Sequence, residues 1–261
     1  MCIREKDEKQ GRGVTVGVSD LKDFSQAFDT AKSQSRNGYV IVERTLVGND
    51  YRVLVINGKM VAAAHRIPAH VTGDGHHTLQ ELIDRENDNP LRGYGHENIL
   101  TEITIDDQTK RLIGNTSYNL NSVLPKGEVM TLKTTANLST GGTAVDITDE
   151  VHSANVHIAE RAIQLIGLDV GGVDIIAPAL TTPLNENGGG IVEINAAPGF
   201  RMHLQPTLGL ARNVAKPVID MLFPPGIRST IPIIAVTGTN GKPFPIQLSE
   251  PTSTHAHTYA V

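Results

Sequence analysis

Two apolar runs that lie close together, 170–176 and 190–195, carry polar side chains only at alternate positions, and this constrains the fold more than any other feature. Successive side chains of a strand point to opposite faces, so Glu193 and Asn195 share one side while Val192 and Ile194 take the other. An antiparallel neighbour at 170–176 would bring Asp174, nineteen positions before Glu193, beside them. Three hard oxygen donors at one spot suit Mg²⁺, which takes one or two carboxylates and completes its shell with phosphate and water. The same residues also fit the wet face of an ordinary two-stranded ribbon, and spacing alone does not choose between the two.

Length and composition narrow the setting. A chain of 261 residues can bury a core in one large or two smaller domains. A single cysteine, Cys2, forbids an internal disulfide and agrees with a reducing compartment. No apolar run approaches the roughly 18 residues that span a bilayer, and no signal-peptide pattern opens the chain. The expected location is cytoplasmic, without a membrane partner. With 23 Lys+Arg against 28 Asp+Glu there is no global basic field to gather nucleic acid.

Along the chain, residues 1–10 show no strand or helix period and read as a stub foreign to the rest. Leu21, Phe24 and Phe28 recur at helical spacing behind a candidate N-cap, Ser19, which predicts a helix over 20–34. Strands are expected at 39–43, 51–56 and 60–66, with Asn57-Gly58 as a hairpin turn between the last two. Thr78 with Glu81 forms a capping box for a helix of about ten residues. Residues 89–127 are polar and poorly periodic, with a short element expected near 111–119. A stripe of Val156, Ala159, Ala162, Ile163 and Ile166 predicts a helix over 150–166, stopped by Gly167. Residues 212–222 suit a further short helix, in which Pro217 marks the first turn or a kink.

The apolar run at 231–236 enters Gly238-Thr239-Asn240-Gly241-Lys242, which supplies the glycines and lysine of a phosphate-binding loop. Position 243 is Pro, so the hydroxyl ligand and helix head of such a loop are missing. Glu43, Arg52 and Arg66 each sit on or at the end of a strand. They are either solvated strand charges or, for the arginines, bidentate partners of phosphate or carboxylate. The segment 133–142 reads as a strand-ending turn, or as a loop whose backbone N–H groups and Asn137 line an anion pocket. The histidines show no metal spacing, and His76-His77 is expected on the surface.

Four blocks carry a resemblance: Val-Glu-Arg-x-x-x-Gly-Asn-Asp-Tyr-Arg at 42–52, Arg-Ile-Pro-Ala-His-Val-Thr-Gly-Asp-Gly at 66–75, Ala-Asn-Leu-Ser-Thr-Gly-Gly at 136–142, and Glu-Ile-Asn-Ala-Ala-Pro-Gly-Phe-Arg-Met-His at 193–203. Together they resemble the cyanophycin synthetase family of ATP-grasp ligases over about 10–242. Bifunctional glutathione synthetases share a weaker form of them. The resemblance implies an α/β fold of the ATP-grasp C-terminal type, mainly antiparallel sheet with packed helices, incomplete at the N-terminus. It implies ATP and Mg²⁺ as cofactors, aspartate and a cyanophycin primer as partners, and amide-bond formation through an acyl phosphate.

Residue by residue, it implies that Asp174, Glu193 and Asn195 are magnesium ligands and that Glu43 borders the nucleotide. Gly11, Arg12 and Gly13 match the loop over the phosphates. Asn137, Ser139, Thr140, Gly141 and Gly142 match the phosphate and acceptor side, with Arg52, Arg66 and Arg201 offsetting charge during transfer. The implied organisation is a stub at 1–10, a partial ATP-grasp domain at 11–225, the start of a Mur-ligase-like domain at 226–242 and a foreign tail at 243–261. The lysine-bearing strand that precedes the glycine loop in the family is replaced here by 1–9. Both ends read as those of a shortened gene, so the isolated chain is expected to be a remnant that binds but does not turn over. An uncovered apolar edge would also favour self-association.

Overall fold

The computed structural model describes residues 1–5, 15, 17–18, 20–35, 37–95 and 98–227. Gly11, Arg12 and Gly13, expected over the phosphates, and the loop and tail expected at 228–261 lie outside the described residues. By compactness the chain divides into Met1–Pro224 and Pro225–Val261, and the elements below all belong to the first unit.

In chain order these are β1 (Cys2–Glu5), α1 (Leu21–Gln34), β2 (Val40–Glu43), β3 (Asn49–Ile56), β4 (Lys59–Ile67), β5 (His70–Thr72), α2 (Leu79–Asn87), β6 (Arg92–Gly93), β7 (Leu100–Thr101), α3 (Asp107–Gly114), β8 (Val129–Thr131), β9 (Thr143–Asp146), α4 (Ser153–Ile166), β10 (Val170–Ala177), α5 (Leu184–Asn187), β11 (Gly190–Asn195), α6 (Arg201–Leu204) and α7 (Ala215–Leu222). The central sheet has five antiparallel strands in the order β11-β10-β3-β4-β9.

Alternation along those strands builds two unlike faces. Tyr51, Val53, Val55, Ala63, Val173 and Ile175 pack on Ala159 and Ile163 of α4. Opposite, Leu54, Ile56 and Ala62 pack on Val214, with Val218 and Met221 beside them. The far end of that second face is polar and holds the site described below. A separate core joins α2, α3, β5 and β8 through Leu79, Ile83, Ile113, Val71 and Met130, with Ile103 and Leu124 from the connections.

Local sequence explains most boundaries. Asn57 and Gly58 both take positive φ, 49° and 70°, the turn that a two-residue hairpin requires. Thr78 and Glu81 form the expected capping box. Pro217 lies in the first turn of α7, where its missing N–H costs nothing.

Four expectations are corrected. The N-cap of α1 is Asp20, whose side chain accepts from the Asp23 amide at 2.8 Å. Cys2–Glu5 is a strand rather than structureless: it pairs with Val40–Glu43 and buries Ile3 against Ala27 and Ala31. The short element beyond residue 89 is α3, which starts earlier than expected because Asp106 caps it at the Thr109 amide. Ile166 is exposed, and the buried stripe of α4 runs Asn155, Ala159, Ile163, where the Asn155 amide bonds Leu180 and Thr182 carbonyls.

Gly48 ties the start of β3 to the end of β10. It holds φ +148°, and a Cβ there would come within 2.2 Å of the Ala177 carbonyl carbon. Gly48→Ala is therefore expected to cost about 3 kcal/mol in chemical denaturation. A loss below about 0.5 kcal/mol would show that the β3 and β10 ends are not held together as described.

Candidate metal and phosphate site

The polar end of the sheet is organised by β10. Asp174 faces Glu193 of β11 on one side and Arg52 of β3 on the other, as direct cross-strand partners. Such partners share a face, so a carboxylate, a carboxylate and a guanidinium form one row. Beyond Asp174 the register slips, and Ile175 faces Ile191. Val192 is the extra residue and turns outward, 49% exposed, while Glu193 stays opposite Asp174. Two residues along, on the same face, Gly172 faces Asn195. A Cβ on Gly172 would lie 2.8 Å from Pro198 Cβ and 3.2 Å from Arg52 Cδ, so glycine makes room for both. Asn195 Nδ2 then reaches Asp174 Oδ2 at 3.3 Å.

Arg52 grips Asp174 with both arms of its fork: Nε donates to Oδ1 at 2.5 Å and Nη2 to Oδ2 at 2.7 Å. Arg66 Nη2 lies 3.1 Å from the same Oδ2, and its Nε donates to Asp50 Oδ1 at 2.7 Å. Asp174 is 5% exposed and Arg66 6%. Neither arginine is the solvated strand charge that sequence left open. Burial pushes the Asp50 carboxyl above its ordinary range, partly opposed by Arg66.

Helix α6 covers this face. Its His203 is 2% exposed, and neither ring nitrogen has a hydrogen-bond partner among the described residues. Burial, reinforced by Arg52 and Arg66 and opposed by Asp146, pulls the imidazole down to about 4. Beside it Arg212 donates to Asp146 Oδ2 from Nη2 at 2.7 Å and also bridges Asp149.

The remaining candidates are spread more widely. Arg201 donates to the Asn98 carbonyl at 3.1 Å and to Thr101 Oγ1 at 3.4 Å, away from Asp174. Buried Arg92 joins the same place, donating to the carbonyls of Thr101 at 2.8 Å and Gly141 at 3.0 Å. In the 137–142 loop the amides of Thr140 and Gly142 donate to the Asn137 carbonyl, and that of Gly141 to Leu138. Those three N–H groups are thus used inside the loop, and its outward groups are the exposed side chains of Asn137 and Ser139. Glu43 ends β2, in a two-stranded sheet of its own with β1.

Sequence reasoning missed Asp50, His203, the Asp146–Arg212 pair and Lys133. Asp50 lies two positions before Arg52, so alternation could have found it. Lys133 is 1% exposed and bonds Asp106 Oδ2 at 2.7 Å, pulling that carboxyl down to about 2 together with the Thr109 amide. No local pattern announces that pairing.

The donor set fits Mg²⁺ held jointly with phosphate. Asp174, Glu193 and Asn195 offer hard oxygens from adjoining positions, and a carboxylate keeps further lone pairs when guanidinium groups bind it. Among the described residues no three His, Cys, Asp or Glu side chains converge as a metal cage.

No protein-family model matches the chain. It is 50% identical over 259 residues to the cyanophycin synthetase of Crocosphaera subtropica, covering 99% of this chain and 29% of that protein. The cyanophycin synthetase of Geminocystis herdmanii is 54% identical over 242 residues, covering 93% and 28%. The crystal structure of a bifunctional glutathione synthetase from Pasteurella multocida superposes with a TM-score of 0.66 at 34% identity, over 85% of this chain and 30% of that one. The chain thus spans under a third of the length of each of these relatives. The resemblance to cyanophycin synthetases and the expected α/β fold of ATP-grasp type with a mainly antiparallel sheet both hold. No helix among the described residues is long and apolar enough to cross a membrane.

Two stability predictions follow from the buried charges. Arg52→Met leaves Asp174 buried with one partner fewer and is expected to cost about 3 kcal/mol in urea unfolding, mostly recovered by adding Asp174→Leu. A double variant no more stable than the single would refute the coupling. For His203 the folded-state value lies near 4 against 6.5 when unfolded, so between these the unfolded chain binds the extra proton. The stabilisation is complete above pH 6.5 and falls away toward pH 4, by about 3 kcal/mol. His203→Leu should flatten that part of the stability profile, and an unchanged slope would contradict the burial.

Proposed function

We propose that this chain forms the Mg²⁺ and phosphate side of an ATP-dependent carboxylate–amine ligase site, one that extends the aspartate backbone of cyanophycin through an acyl phosphate. The observation that carries this is the row Glu193–Asp174–Arg52 with Asn195 leaning onto Asp174. It sets oxygen donors for a cation directly beside guanidinium groups for phosphate. The likeness to cyanophycin synthetases supports the choice of substrates, aspartate and an aspartate–arginine primer.

The chemistry needs this pairing. A carboxylate is a poor electrophile, and phosphorylation gives it a leaving group. Bound between Asp174, Glu193 and Asn195, Mg²⁺ would offset charge on the phosphate oxygens. Arg52 and Arg66 place two fixed positive charges at the same point, in a partly dry setting where they act strongly. Arg201, with Asn137 and Ser139 on the neighbouring loop, is assigned to the acceptor side. There a donor is needed for the oxyanion formed when the amine attacks. No enzyme nucleophile is called for.

A second reading, a binding module with weak Mg²⁺–nucleotide or polymer affinity and no turnover, draws on the grip of Arg52 and Arg66 on both Asp174 oxygens. One experiment separates the two. The purified chain is given Mg²⁺, ATP, aspartate and a short aspartate–arginine primer, beside Asn195→Ala, with calorimetry of Mg²⁺–ADP binding run in parallel. Ligase function predicts ADP and extended primer in equal amounts, reduced about a hundredfold in the variant. Binding that Asn195→Ala weakens, without product, selects the binding module. Affinity unchanged in Asn195→Ala removes both.

A further inference from the structure

We infer that His203 receives Arg52 when Asp174 turns to the cation, which makes the imidazole a positioning residue for Mg²⁺–phosphate binding. This rests on the function proposed above and adds a residue that the metal and phosphate assignments leave unused.

The argument begins with an imbalance. A buried imidazole with no partner at either nitrogen costs about 1–3 kcal/mol, and among the described residues His203 is almost fully enclosed in that condition. Arg52, Ala64 and Asp146 are cross-strand partners in one row over β3, β4 and β9. Helix α6 lies on that row, with Met202 packed on Ala64 and Ala144 and the His203 carbonyl tied to the Arg212 amide. Arg52, Arg66 and Asp146 are the charged groups that act on the imidazole there. Asp146 is already occupied: Arg212 donates to one of its oxygens from Nε and Nη2, and Thr148 Oγ1 donates to the other at 2.5 Å. Arg66 is doubly anchored, on Asp50 and on Asp174. Among the described residues Arg52 has Asp174 alone.

The two arginines therefore respond differently when Asp174 shares its oxygens with a cation. Arg66 keeps Asp50. Arg52 loses the carboxylate that holds it while its stem stays clamped beside Gly172, where even a Cβ would approach Cδ to 3.2 Å. Its head group carries five N–H donors and must find an acceptor close by. The unpartnered nitrogen of a neutral imidazole is such an acceptor, and the low proton affinity of His203 keeps it neutral at working pH. Docked there, Arg52 retains its charge near the phosphates without obstructing Asp174. The orphaned imidazole and the singly anchored guanidinium are then two halves of one arrangement.

The test uses the full chain labelled with ¹⁵N-histidine, with His203→Gln identifying the His203 signals. Mg²⁺–ADP should shift a ring-nitrogen resonance of His203, and ADP with chelator should not. Calorimetry of Mg²⁺–ADP should show His203→Leu binding about tenfold more weakly, a hydrogen bond to a charged group being worth about that much. His203→Gln, which keeps an acceptor, should stay within about threefold of the unaltered chain. Without ligand, His203→Leu should melt no lower than the unaltered chain, which separates lost binding from lost folding.

Equal affinity in His203→Leu, or a resonance that stays still while Mg²⁺–ADP binds, would mean that the imidazole is satisfied by a buried water only, and the inference falls alone. An unaltered chain that binds no Mg²⁺–ADP removes this inference and the proposed function together.

Discussion

The enclosed Asp174 carboxylate, shared between Arg52 and Arg66, is the constraint around which the rest of this structure is arranged. Placing a charge in an interior strand of a sheet is costly unless its partners arrive with good geometry. They arrive here from two neighbouring strands, which fixes the pairing of β3 with both β4 and β10. The end of the face bearing them is not covered by an apolar helix, as α4 covers the other face and α7 the apolar end of this one. It is closed instead by the turn at 195–200 and the short helix α6, and Gly172 is the residue that lets Pro198 and Arg52 fit beneath that cover.

How much of this was legible in the sequence depended on the range of each interaction. Alternation sufficed for β10 and β11, because Glu193, Asn195 and Asp174 declare a common face without reference to the rest of the chain. Capping chemistry sufficed for α2, and the Asn57-Gly58 turn for the hairpin. Arg52 and Arg66 were recognised as residues of interest, but their ion pairs join segments far apart in the chain. The burial of His203 and Lys133 was hidden for the same reason. Asn155 shows a further limit: a polar residue held by carbonyls at 180 and 182 interrupts what composition alone reads as an apolar stripe. At 89–127 the elements are short, and side chains rather than periodic apolar faces hold them in place, so a periodicity argument finds little there.

Cations recur in this fold as ties between segments. Arg92 holds β7 to the 137–142 loop through carbonyls, Lys133 holds Asp106 at the head of α3, and Arg212 locks the segment after α6 onto Asp146 and Asp149. Each is specific in direction as a hydrophobic contact is not. The position of Arg201 depends on the first of these ties, because Thr101, which it reaches, also accepts from Arg92 through its carbonyl. Arg201 and the 137–142 loop are thus tied to β6 and β7, outside the central sheet.

The division of the site between two hairpins bears on the order in which the chain acquires structure. β3 with β4, and β10 with β11, each close over a short stretch, whereas Arg52 and Asp174 are separated by 122 residues. Loop closure over that distance must come before the central ion pair can stabilise anything. Each hairpin therefore spends its early lifetime with an unmatched charge on a surface destined for the interior. The step that docks β10 on β3 removes both liabilities at once, so the chemistry of the site and the cooperativity of folding share a single event.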